Sequence, residues 1–115
     1  MRTTTTGAGL RFMQLDVYRV AREMVVRVGA LGVRDAELRS QATRAAASVL
    51  LNLSEGLPSR STGLRRKFFT TAQGSAYEVA AAVDAAAALG VADAAAVVEV
   101  LALCDRVSAM LFRMR

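Results

Sequence analysis

Two sets of residues in this sequence have types and spacings that could support chemistry. The first is a polar stripe inside QATRAAASVLLNLSEG, where Gln41, Arg44, Ser48, Asn52 and Glu55 interrupt an otherwise apolar run. At about 100° per residue these five fall within an arc of about 80° on a helix. Thr71, Ser75 and Glu78 repeat the arrangement further along. Arg, Glu and Ser side by side can form a ligand or catalytic pocket, or a satisfied polar layer that fixes helix register. The chain has no His and a single Cys, Cys104. No imidazole base is therefore available to activate a serine, and His-Cys metal sites are ruled out. The stripe reads as structural, with Arg44 paired to Glu78 and Ser48, Ser75 and Asn52 completing the hydrogen bonds. Glu55 would hold turn amides or pair with Arg60. Losing Arg44 would then strand a buried carboxylate, at a cost of about 2–4 kcal/mol.

The second set is Arg60, Arg65, Arg66 and Lys67, packed into LPSRSTGLRRKFF. Guanidinium groups bind phosphate in a bidentate way, so this run is the candidate nucleic-acid-binding surface. No aromatic residue is interleaved with it. Phe68 and Phe69 follow, with Phe68 expected in the core, so base stacking has little support and affinity should depend on salt. The formal charge is +5, and it is uneven. Val79–Cys104 holds three acids and no base, which leaves 15 basic against 7 acidic groups, a net +8, in the remainder. Arginine supplies 14 of the 15 bases, through either an anionic partner or a GC-rich coding preference. A patch at one end of the molecule would favour the first explanation, and scattered arginines the second.

Four helical segments must position these residues, and no strand pattern competes with them. The first runs from about Met13 to Leu31, with Leu15, Tyr18, Ala21, Val25 and Val28 on one stripe. Asp35 is placed to cap the second, which ends at Glu55 with Gly56 as its C′ residue. Ser61 or Thr62 caps the third, ending at Gly90. Asp93 caps a fourth that reaches about Phe112. Short connections between long helices predict an all-α, antiparallel up-down-up-down four-helix bundle spanning 12–115 as one domain, behind a flexible tail of residues 1–11. Gly74 inside the third helix costs about 1 kcal/mol against Ala, so a packing reason is expected for it.

Hydrophobic residues make up 54% of 115 positions, more than a small monomer can hide, so a homo-oligomer is expected. Cys104 reads as a small core residue. The most apolar stretch is broken by Asp84, Asp93 and Glu99, so no membrane span is expected. The N-terminus lacks an apolar leader and there is no disulfide framework, which points to the cytoplasm.

The ordered pattern Leu38, Gln41, Arg44, Ala45, Ser48, Asn52, Glu55, Gly56, followed by Phe68, Ala72, Gly74, Ser75 and Glu78, resembles one family. So does the opening set Phe12, Leu15, Val17, Tyr18 and Ala21. It is the four-helix-bundle proteins encoded by intervening sequences of bacterial 23S rRNA genes, and the similarity spans about Phe12 to Phe112. The resemblance implies a ring-shaped homopentamer. It also implies kinship with the accessory proteins of diversity-generating retroelements, which bind nucleic acid and a reverse transcriptase, and it brings no enzymatic activity or cofactor. The expected role is a non-enzymatic accessory that binds RNA or DNA backbones. The alternative is a protein–protein scaffold.

Overall fold

A computed structural model describes residues 10–115; the tail expected over residues 1–11 lies almost wholly outside them. Among the described residues there are four α-helices and no strand: α1 Asp16–Ala30, α2 Ala36–Gly56, α3 Thr62–Ala88 and α4 Ala94–Met114. The arrangement is consistent with a four-helix bundle. α3 packs most extensively on α2 and then on α4, while α1 closes onto α4 and α2.

Local capping chemistry sets most helix starts. The Asp35 carboxylate accepts from the Leu38 amide at 2.9 Å, Ser61 Oγ from the Leu64 amide at 3.2 Å, and Asp93 from the Ala96 amide at 2.9 Å. Each satisfies one of the amides that a helix start leaves without a partner. α1 begins later than its periodicity predicts, because Arg11–Gln14 form a 3-10 turn and Leu15 is extended. Leu15 is consequently exposed, and Met24 is fully buried in the stripe instead. Gly90 ends α3 with φ 74°, a left-handed geometry that costs glycine little.

Gly56 does not serve as the expected C′ residue. It is the last residue of α2, and the chain turns after it. Its value is its missing side chain: a Cβ there would lie 2.8 Å from Phe69 Cε1 and 3.0 Å from Phe68 Cβ. Phe69, not Phe68, is the fully buried ring, and Phe68 is only half-buried. α2 buries Ala42, Ala45, Ala46, Val49 and Leu53, and α3, besides Phe69, buries Ala72, Ala76, Val79 and Val83. Alanine on both helices lets their backbones approach closely, which offsets the small area each alanine buries.

Gly74 has no packing reason. It is exposed, and nothing lies within 4 Å of a Cβ placed there. Gly74→Ala is therefore expected to stabilise the fold by about 0.5–1 kcal/mol, read as a raised midpoint in urea with unchanged slope.

Cys104 is buried against Met24, with its Sγ 3.6 Å from the thioether sulfur. Burial pushes the thiol up to about 11, only partly opposed by a backbone hydrogen bond. No helix of the described residues is long and apolar enough to cross a membrane.

Candidate nucleic-acid interface

The polar stripe divides into two groups. Ser48, Asn52 and Ser75 come together where α2 meets α3. Ser48 Oγ and Ser75 Oγ share a hydrogen bond of 2.9 Å, and Asn52 Nδ2 donates to the Ser48 carbonyl at 2.9 Å and to its hydroxyl at 3.1 Å. Ser75 is buried and the other two are half-buried, so the hydroxyls form a small satisfied layer between the helices. Gln41, Arg44, Glu55 and Glu78 lie on the exposed side of the same stripe. Neither the Arg44–Glu78 pair nor the Glu55–Arg60 pair forms. The salt bridges among the described residues belong to Arg27, which holds Glu23 on its own helix and Glu99 on α4. Arg44 thus has no buried carboxylate to strand, and the stability loss expected for Arg44→Ala no longer has a basis.

A second buried polar layer, between α3 and α4, escapes the sequence reading. Gln73 is buried and donates from Nε2 to the Ser108 carbonyl at 3.2 Å and to the Tyr77 hydroxyl at 3.0 Å. It forms the floor of a groove of about 510 Å³ that is walled by Leu101, Cys104 and Phe112, with Asp105 and Arg113 also lining it. The only signal for Gln73 in the sequence is a lone Gln between Ala72 and Gly74.

The basic run occupies one end of the fold. Arg60 lies in the α2–α3 connection, and Arg65, Arg66 and Lys67 lie in the opening turns of α3. Arg60, Arg65 and Arg66 line one concavity of about 420 Å³ with Thr62, Met114 and Arg115; Lys67 is exposed but does not line it. Arg115 is a basic residue that the sequence reading passed over. It enters because the end of α4 is brought beside the start of α3, although some fifty residues separate it from Arg65.

Two of these guanidiniums are held against rings. The Arg65 guanidinium carbon lies 5.5 Å from the centroid of Phe69, and that of Arg115 lies 4.9 Å from the centroid of Phe112. Cation–π contact at this range holds a guanidinium while leaving its N–H groups free to donate. The charge has the wrong sign for the local helix dipole. α3 has no acid in its first turn, and Arg-Arg-Lys follows directly, where an anion would be favoured. Elsewhere, Arg34 donates to the Gly90 carbonyl and Arg39 to the Val33 carbonyl, each at 2.7 Å. Arg19, Arg22, Arg44 and Arg106, by contrast, are exposed and make no hydrogen bond or ion pair among the described residues. Among the described residues, the side chains of Arg60, Arg66 and Lys67 make no hydrogen bond or ion pair within the chain.

Among curated proteins, none matches the chain. The family model for the 23S rRNA-intervening sequence protein matches residues 13–113. That span takes in all four helices together with the arginine-lined end except Met114 and Arg115, and on this match the chain belongs to the 23S rRNA-intervening sequence protein family.

Proposed function

We propose that this protein is a non-enzymatic, cytoplasmic accessory protein that binds the phosphate backbone of RNA or DNA through Arg60, Arg65, Arg66 and Lys67. The observation that carries this reading is the concavity at the α2–α3 end, where Arg60, Arg65, Arg66 and Arg115 converge and no Asp or Glu is among the lining residues. Such a surface attracts phosphate through charge and does not read bases. Structured rRNA is the first probe to try, given the family's name.

The bundle is antiparallel in this reading and assembles as a ring of five copies. Two observations support the antiparallel arrangement: Ser48 meets Ser75, and Gly56 at the end of α2 meets Phe69 near the start of α3. Self-association is supported by large apolar side chains left exposed on the single chain, among them Leu51 at 65%, Phe112 at 62% and Tyr77 at 58%. Repetition around a ring would multiply weak electrostatic contacts.

The second reading is a protein scaffold, with a reverse transcriptase as one possible class of partner. The α3–α4 groove around Tyr77 and Phe112 favours it, because its lining is mostly apolar and its two charges, Asp105 and Arg113, are of opposite sign.

Fluorescence anisotropy with labelled RNA and DNA, titrated across salt, tests the first reading. A steep loss of affinity with salt is expected. Changing Arg60, Arg65, Arg66 and Lys67 together to Gln is expected to flatten the log–log slope by roughly 3 per chain, at about 0.7–0.9 per phosphate contact. No binding at low salt would remove the nucleic-acid role and leave the scaffold.

A further inference from the structure

We infer that the arginine-lined concavity is a seat for the terminal phosphate of a nucleic-acid strand, and not only a stretch of surface along which a backbone runs. This inference rests on the nucleic-acid reading above and narrows it to one feature of the ligand. Three observations lead to it.

The first is shape. A strand passing across a protein needs an extended groove or a flat face, whereas Arg60, Thr62, Arg65, Arg66, Met114 and Arg115 line one local, half-open concavity of about 420 Å³. That volume lies within the range of sites that take small molecules, about 300–1,000 Å³, and is roomier than a bare anion needs. A terminal nucleotide suits it: its phosphate among the guanidiniums, with the Met114 side chain as the apolar part of the wall.

The second is charge. Even with the Arg115 α-carboxylate counted against them, four arginines leave more positive charge around one small volume than a single backbone diester, at −1, can neutralise. A terminal phosphomonoester carries about −1.5 to −2 near neutral pH and presents three acceptor oxygens. Planar guanidiniums approaching from several directions match that fan of acceptors, and the Thr62 hydroxyl adds a neutral donor.

The third is preorganisation. Phe69 and Phe112 hold the Arg65 and Arg115 guanidiniums, so part of the ordering cost is met before any ligand arrives. The two rings belong to α3 and α4. The seat thus spans two elements far apart in sequence, unlike a run of adjacent charges on one solvated helix.

The test uses three single-stranded RNA oligonucleotides of one sequence, carrying a 5′-phosphate, a 3′-phosphate or hydroxyls at both ends. Each is labelled internally and titrated by anisotropy against the full chain. One phosphorylated end is expected to bind about tenfold tighter than the hydroxyl form, the scale of a few charge-assisted hydrogen bonds. Inorganic phosphate should compete away that gain. Arg115→Gln should abolish most of the gain; because Arg115 also belongs to the surface that attracts the backbone, the hydroxyl oligonucleotide should weaken as well, but only about two- to threefold. An unchanged circular dichroism spectrum would show that this variant remains folded. Equal affinity for all three oligonucleotides, with a steep salt slope retained, would overturn the seat and leave the backbone reading standing. No binding of any of them would overturn both.

Discussion

Phe69→Ala is expected to remove about 3–5 kcal/mol of folding free energy, the range for deleting a fully buried aromatic side chain and leaving its cavity. The ring is completely buried at the contact between α2 and α3, the most extensive helix pairing in the molecule. Neighbouring residues cannot collapse into the space easily, because Ala72 and Ala76 on α3 and the glycine at position 56 have almost no side chain to reorient. A domain of this size has only about 5–15 kcal/mol of total stability, so the variant would sit close to unfolding at 37 °C. Urea denaturation of the parent, Phe69→Ala and Phe69→Leu measures the loss directly. The leucine variant keeps most of the volume and is expected to lose less than about 1.5 kcal/mol. Alanine and leucine variants of equal stability would place the ring outside the core. Loss of the ring also removes the face that holds Arg65, so on the proposed nucleic-acid reading Phe69→Leu, expected to remain folded, should weaken RNA binding several-fold by loosening that guanidinium.

Gly56→Ala is expected to destabilise by about 1–2 kcal/mol, although alanine is the better helix former. Two effects oppose each other here. Helix propensity favours alanine over glycine by up to about 1 kcal/mol, and by less at the last residue of a helix. Against it, the new methyl would stand 2.8 Å from Phe69 Cε1, 3.1 Å from Phe69 Cδ1 and 3.0 Å from Phe68 Cβ. The Phe69 ring is packed on every side, and a Cβ is tied to its backbone, so neither neighbour can swing away. Overpacking of this kind costs about 1–3 kcal/mol, and the steric term wins. The direct check is a double-mutant cycle in which Phe69→Leu makes room for the added methyl. A favourable coupling of at least about 0.5 kcal/mol is expected between the two positions. Additive losses would show that the glycine is there for another reason. Gly74→Ala supplies the contrast: the same chemical change in an open position should carry the opposite sign.

Helix number and most helix ends were legible from local chemistry. Asp35, Ser61 and Asp93 cap helices because a side-chain oxygen reaches an amide three residues on, an interaction that needs no tertiary partner. Gly90 could be read as a stop for a similar reason, since its left-handed φ is a property of the residue itself. The start of α1 was less legible because Leu15 supplies no capping oxygen, and apolar periodicity runs straight through the 3-10 turn before it.

Helix rotation was the harder quantity. On α2 and α3 alanine occupies nearly every side, so the wheel does not single out one inward face. A shift of one residue moved burial from Phe68 to Phe69. The same indeterminacy left Arg44 and Glu78 in solvent and only the small polar residues, Ser48, Asn52 and Ser75, at the seam. A buried ion pair would have had to recover the cost of desolvating two charges, whereas hydroxyls and an amide fit between close backbones at little cost.

The sequence by itself determined the helical class, the side-chain caps of α2, α3 and α4, the family and the presence of a basic run after the second helix. Each of these is written in interactions spanning four residues or fewer, or in the order of residues along the chain. Only the tertiary structure decided which side of each helix is buried, why position 56 lacks a side chain, and that Arg115 joins Arg60, Arg65 and Arg66 around one concavity. The reason is physical: these outcomes depend on how closely two alanine-rich helices can pack and on which ends that packing brings together, and no local signal along the chain encodes either.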